Sequence, residues 1–470
     1  MSTSADLIVV GAGPAGLMAA WRASRAGRSV VVLERANAVG GMAASFSVAG
    51  VRVDHGSHRL HPSTAPEIMA DLRGLLGDDL QTRPRHGRLR VGDRWVGFPL
   101  RPADLARSLP AATIARIGAD AVAAPLRRKD AATSYAEALR RGLGPTLYDR
   151  LYGPFALKLW GRPGEEIDPE QARVRVRADT AWKIAGRLLR RPKDGAGRVF
   201  HYPRRGFGQI VDVVADAAVD NGVKLELGVE VTEIRPGREG VEVKTADGGV
   251  LTAGHLFTTA PLTRLADLVS PPAPWAAVAD AAKLTFRAMV LVYLVHSDRT
   301  RWTEFDATYL PDAGTPISRI SEPANYRVSE EDPTDRTVLC CEIPCSADPD
   351  DPIWSATQQQ LADLVADTLS RLGLPPLRLD GPDAVHVRRL RHVYPVYEKG
   401  YAAHLRGLDQ WASSLPSVTT FGRLGLFAHD NTHHAFAMAY AAVDALGSGE
   451  WDARRWSVAR EGFRDHVVED

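Results

Sequence analysis

Six residues near the start of the chain have the types and spacing of a phosphate-binding turn: Gly11-Ala12-Gly13-Pro14-Ala15-Gly16. An apolar run, Leu7 to Val10, precedes them, and an alanine-rich stretch follows. A second apolar run, Val30 to Leu33, ends in Glu34, 18 residues after Gly16. Strand, glycine turn, helix, strand and acid are the parts of a dinucleotide-binding unit. Gly11 permits the tight turn, Gly13 lets backbone approach a pyrophosphate, and Gly16 lets the helix pack closely on the strand. Pro14 and Ala15 open a helix whose free N–H groups and partial positive charge suit phosphate. Glu34 offers a carboxylate to a ribose.

Which dinucleotide is bound turns on the next few residues. Arg35, the doublet Gly40-Gly41 and the small, apolar stretch from Met42 to Ser47 resemble the segment of flavoprotein oxidoreductases that passes under the FAD phosphates and ribityl chain. This doublet and the N-terminal position favour FAD; NAD is the rival.

The elements that must hold these groups follow from periodicity. Residues 46–61 read as a strand pair turning at Gly50, and 65–75 as a helix. The stretch 87–99 alternates as a hairpin, and helices dominate 103–190. The segment from His201 reads as the opening of a long helix reaching Asn221, followed by strands at 224–227, 230–234, 241–245 and 255–259. A second sheet is expected from 284–295, 337–344 and 386–397, with a helix opening at the acidic turn 348–351. A short strand at 418–421, a turn at 422–425 and a small-residue helix at 433–446 complete the pattern.

At 470 residues the chain is long enough for two domains. Its 58 basic and 57 acidic residues nearly cancel, which argues against nucleic acid or a polyanionic surface as partner. No apolar run of membrane-spanning length occurs, and the first strand begins so early that a secretory signal has no room, so a cytoplasmic location is expected. The three cysteines, Cys340, Cys341 and Cys345, lack zinc-site spacing and read as buried strand thiols.

The glycine turn, Glu34 and the doublet together resemble the FAD-dependent superfamily of amine oxidases, protoporphyrinogen oxidases and phytoene desaturases. Thr258-Thr259-Ala260-Pro261 resembles that family's "T-A-P" strand end near the flavin, and Tyr202-Pro203-Arg204-Arg205-Gly206 its "Y-P-x-G-G" entry to a flavin-domain helix. Three further segments resemble the branch of UDP-galactopyranose mutases. They are Gly56-Ser57-His58-Arg59-Leu60-His61, then Leu151 to Phe155 with Lys158-Leu159-Trp160-Gly161, then Tyr394-Pro395-Val396-Tyr397 with Gly422-Arg423-Leu424-Gly425. The mutases follow the last motif with diphosphate-binding tyrosines; here the run is Leu426-Phe427-Ala428-His429-Asp430-Asn431, and those tyrosines are absent.

The resemblance implies an α/β fold: a Rossmann-like FAD domain of the glutathione-reductase type, interleaved with an α+β substrate domain and a helical insert. The FAD domain would be discontinuous, at 1–75, 200–265 and 415–450. The substrate domain would be 76–199 and 266–414, with a C-terminal helix in 451–470. It implies that Val231, or its neighbour Val229, touches the adenine through backbone atoms, and that Gly56, Ser57 and His58 lie beneath the isoalloxazine. Ala260, Gly422, Asp430 and Asn431 would also meet the cofactor, and Arg423 its phosphates or an anionic substrate. In such folds the flavin performs the chemistry and the protein supplies placement and electrostatics. His58 and His61 either transfer protons near it or simply pack there. Lys158 could hold a water or an anionic substrate, and Arg59, Arg88, Trp160, Tyr394 and Tyr397 are candidates for the substrate cavity. His429 and His433 have a helical metal-ligand spacing, but the family places this turn at the flavin's edge, and no metal is expected. The leading expectation is an FAD-dependent oxidoreductase acting on a C–N, C–O or C–C bond of a small molecule. The alternative is a redox-neutral flavoenzyme acting on a nucleotide sugar.

Overall fold

The structure, a computed structural model, describes residues 3–100, 102–124, 130–176, 199–447 and 450–468. It is a mixed α/β fold built on two seven-stranded sheets.

In the first sheet the order is Val231–Gly237, Gly240–Thr245, Val250–Thr258, Thr3–Val10, Val30–Glu34, Lys224–Leu227, with Val418–Thr420 added beside Val250–Thr258. Thr3–Val10 runs parallel to both of its neighbours. A parallel pair needs a crossover, and helix Pro14–Arg25 supplies it between the first two strands. The consecutive apolar residues Leu7, Ile8 and Val9 are fully buried because both faces of this sheet are covered. Helices Pro14–Arg25, Gln209–Asp220 and Thr432–Leu446 share one core with Leu7 and Val9, whereas Ile8, Ile234 and Leu256 face a second core on the other side.

The second sheet runs Val385–Pro395, Phe286–Ser297, Arg336–Cys345, Arg319–Ser321, Ala307–Tyr309, Gly87–Val91, Arg94–Phe98. The three cysteines are buried in Arg336–Cys345. Burial pushes the Cys345 thiol up to about 12, so it stays protonated and unreactive at neutral pH. Helices Ala111–Ala123, Tyr135–Leu143, Gly153–Trp160 and Glu170–Val176 form the insert between the hairpin and residue 176; the part of the expected helical region at 177–190 lies outside the described residues. The C-terminal helix is Ala453–Phe463. Among the described residues no helix is long and apolar enough to cross a membrane.

Two local expectations need correction. His201 does not open a helix: Val199–Pro203 is a strand paired antiparallel with Leu80–Pro84, and the helix starts only at Gln209. The alternation of Phe200 and Tyr202 fits a strand, and Pro203 followed by Gly206 at φ +92° interrupts the chain before the helix. The helix expected from Asp348 begins at Gln358, where Thr357 and Gln360 make a reciprocal capping box; Asp351 meanwhile accepts the N–H groups of Ser346, Ile353 and Trp354 and closes a turn. Gly422–Gly425 is a short helical turn.

Candidate active site

A single cavity of about 1290 Å³ runs along the carboxyl ends of the first sheet and under the second. At its first end lie Gly11, Gly13, Pro14, Ala15, Glu34, Arg35, Gly41, Met42, Val231 and Ala260. The local sequence explains the opening. Gly11 has φ +104°, and a Cβ there would meet Thr259 Oγ1 at 2.4 Å. A Cβ on Gly13 would meet no protein atom within 4 Å, so the backbone is bare toward the cavity. Gly13 precedes the helix without a side-chain cap, which leaves first-turn N–H groups for a ligand. Glu34 is held in place by two backbone donors, Ala12 N at 2.8 Å and Ala36 N at 2.9 Å.

Gly16 and Gly40 act behind this surface and do not line it. A Cβ on Gly16 would lie 1.9 Å from Gly11 O, so its role is the close helix–strand contact. Gly40, expected to touch the cofactor, donates its N–H to Ala12 O at 2.8 Å, and a Cβ on it would press on Ala44 and Val211 at 2.9 Å. It supports the turn from beneath.

The rest of the cavity gathers Gly56, Ser57, His58, Arg59, His61, Trp160, Tyr394, Gly422, Arg423, Asp430 and Asn431. His58 stacks on Phe207 at 5.2 Å, and its Nε2 lies 3.1 Å from His55 O. A carbonyl only accepts, so Nε2 carries the proton and Nδ1 is the basic nitrogen. Burial lowers its pKa and keeps the ring neutral. His61 Nδ1 contacts Ser63 Oγ at 2.6 Å. Arg59 pairs with Asp306 at 3.2 Å and lies over the Tyr326 ring. Trp160 packs edge-on against Tyr135, with its buried Nε1 lacking a partner among the described residues. Arg423 and Arg175 both lie over the Tyr394 ring, at 5.2 and 5.0 Å, and Arg423 donates to Val393 O. Burial lowers the Arg423 pKa.

Three other expected site residues lie off the cavity. Lys158 turns its ammonium to the carbonyl oxygens of Leu310 and Ile317. Burial lowers its pKa to about 8. It ties the insert to the second sheet's connections. Arg88 is sandwiched between Trp95 and Phe305, each 4.5 Å away, and donates to Thr308. Tyr397 is buried against Tyr401 at 4.1 Å and donates to Phe427 O. Tyr397 belongs to the buried apolar cluster under the first sheet. His429 and His433 share no helix face, because the helix begins at Thr432. The side chains that do converge are Asp430, His434 and His466, with potential ligand atoms within 4.8 Å of one another.

Several cavity residues were not anticipated. Glu342 accepts the Ser57 N–H at 2.8 Å and pairs with Arg319. Its sequence signal is a lone acid inside the apolar run from Val338 to Cys345. Phe155, Tyr309 and Arg175 also line the chamber; they come from separate elements and share no local pattern.

A family model described as flavin containing amine oxidoreductase matches residues 14–449. A putrescine oxidase of Kocuria rosea is 44% identical over 82 residues, a match spanning only 17% of this chain and 17% of that enzyme. A coproporphyrinogen III oxidase of Propionibacterium freudenreichii subsp. freudenreichii is 24% identical over 464 residues, covering 86% of this chain and 83% of that one. Among solved structures, reduced UDP-galactopyranose mutase superposes with a TM-score of 0.80 at 19% identity, covering 99% of this chain and 100% of that one. That likeness is one of fold. A family match over residues 14–449, on a chain whose glycine turn and second-sheet chamber open into one cavity, makes this protein a member of the flavin containing amine oxidoreductase family.

Proposed function

We propose that this chain is an FAD-dependent oxidoreductase that removes a hydride from a C–N, C–O or C–C bond of a small molecule, in glycan or secondary-metabolite biosynthesis. The observation that carries the reading is the continuity of one cavity, from Gly13 and Glu34 to a chamber walled by His58, Trp160 and Tyr394. Membership in a flavin family implies a flavin, and the residues present fit FAD. The bare backbone at Gly13 and the uncapped helix start suit a pyrophosphate, and the fixed carboxylate of Glu34 suits a ribose. FAD bound there supplies the two-electron acceptor for the substrate's hydride.

This chain's own residues bind and orient. Trp160, Phe155 and Tyr394 exclude water and hold a flat or ring-shaped substrate. His58, neutral and basic at Nδ1, accepts a proton released from the substrate. The flavin-binding part of the chain is discontinuous, 1–75, 200–265 and 415–450, with the substrate-binding part from 76–199 and 266–414. Strands from all three of the former stretches joining one sheet support this division.

The test is spectroscopic. Purified protein should be yellow and release FAD on denaturation. Candidate substrates are then added anaerobically to oxidised and to prereduced enzyme. Bleaching of the oxidised flavin supports oxidation. Turnover by prereduced enzyme alone, without reoxidation, overturns it in favour of a redox-neutral reaction on a nucleotide sugar.

A further inference from the structure

Val468 lines the cavity, although the residue before it in the chain that does so is Ala435. Helix Ala453–Phe463 lies between them and contributes nothing to the cavity wall. Residues 464–468 return from that helix to the cavity without forming a helix or strand of their own. An irregular segment stays ordered only where its contacts offset the entropy lost in fixing it, and this one is tied at several points.

Arg173 donates to Arg464 O, and Val468 N donates to Val174 O at 2.8 Å, so helix Glu170–Val176 holds both ends of the segment. Between these ends, His466 Nδ1 lies 2.9 Å from Asp430 Oδ1, and the ring stacks on His434 with centroids 4.1 Å apart. The Asp430 side chain is only 1% exposed, so it acts as a buried anchor. The segment thus bridges two parts of the cavity wall. One is the helical insert, through Arg175 and Val176; the other is the turn that contributes Asn431 and Thr432. Val468 is half-buried: it packs on the apolar cluster that holds Val174 and Tyr397, and it also lines the cavity. Its side chain has no polar or ionisable atom, so it acts on a ligand through volume alone.

We propose that residues 464–468 are a wall of the substrate chamber and that Val468 is a size-selecting residue, setting the room between the insert and the turn at 431–432. The proposal rests on the reading of this cavity as the flavin and substrate site, and adds to it a specificity determinant from the C-terminal segment. Where a side chain borders a substrate, a change of one methylene shifts discrimination by about tenfold or more.

The experiment uses the purified holoprotein, with FAD content measured first. The flavin is photoreduced anaerobically, and its reoxidation by benzoquinone and by naphthoquinone is followed by stopped-flow absorbance. Both oxidants take two electrons and two protons from the reduced flavin, and they differ by one fused ring. The ratio of the two rates within one protein removes any change common to both. Val468→Ala should raise the naphthoquinone-to-benzoquinone ratio, and Val468→Phe should lower it, by about tenfold in each direction. A chain shortened to end at Arg464 should raise it at least as far as Val468→Ala. Equal ratios in wild type, Val468→Ala and Val468→Phe overturn the proposal. So does a ratio that responds to shortening but not to substitution. If the shortened chain does not fold, the two substitutions decide. A wild type that takes up no FAD removes the cofactor reading as well, whereas a yellow wild type whose ratio is indifferent to the side chain at 468 removes this proposal alone.

Discussion

Arg319 and Glu342 form a two-pronged ion pair in the cavity wall, Nε to Oε1 at 2.9 Å and Nη2 to Oε2 at 2.8 Å. The same Glu342 carboxylate accepts the N–H of Ser57, and Arg319 donates to Ser57 O at 3.3 Å. One ion pair of the second sheet thus holds the backbone that presents His58.

Breaking that pair from one side should be costly. The side chains are 15% and 4% exposed, so Glu342→Ala leaves a guanidinium almost without water. A loss of about 3–5 kcal/mol is expected from urea denaturation. Arg319→Met/Glu342→Leu, which removes both charges, should recover part of it. A single variant as stable as wild type would mean that the pair is solvated and bears no weight in the fold.

Gly13 and Gly16 should respond in opposite ways. Gly13 has φ −80°, which any residue tolerates, and a Cβ there meets no protein atom. Gly13→Val is expected to fold with wild-type stability but to purify colourless, because its side chain occupies phosphate space. Gly16→Ala puts a methyl on Gly11 O and should lose stability by several kcal/mol, with flavin lost as a consequence. Melting temperature and visible absorbance, measured together, separate the two cases; a yellow Gly13→Val protein contradicts the assignment of the turn.

Lys158 makes a prediction about pH. Its folded pKa is lowered to about 8 by burial, whereas an unfolded lysine titrates near 10.4. Between those values the unfolded chain holds a proton that the folded chain lacks, so stability rises with pH. The contribution is complete above the unfolded value and is lost as pH falls through about 8. Wild type should therefore gain on Lys158→Met by roughly 3 kcal/mol between pH 8 and 10.5, read from paired denaturation curves. A gap independent of pH would place the ammonium in water.

His58→Ala tests the proton acceptor. FAD should remain bound, and flavin reduction by substrate should slow by about 10²–10⁴-fold. Stopped-flow reduction at the wild-type rate would reduce the ring to a packing partner of Phe207.

How far the chain could be read without its fold depends on the kind of signal. The dinucleotide unit was legible because its parts are consecutive: Leu7 to Gly16 and Val30 to Glu34 each act through local backbone geometry, so spacing alone exposes them. The main strands of both sheets were legible for the same reason, through runs such as Val290 to Val295 that only a doubly covered sheet buries. Lys158, Arg88 and Tyr397 were misplaced because a side chain's direction depends on what packs against it. The carbonyls of Leu310 and Ile317 claim the first, Trp95 and Phe305 the second, and Tyr401 and Phe427 the third. Those partners lie up to 217 residues away (Phe305 from Arg88), and no local pattern marks them. Glu342 beside Ser57, and His466 beside Asp430, exist only once the sheets and the C-terminal segment close around one cavity. Local backbone chemistry determined the cofactor turn; long-range packing decided which charges face the cavity.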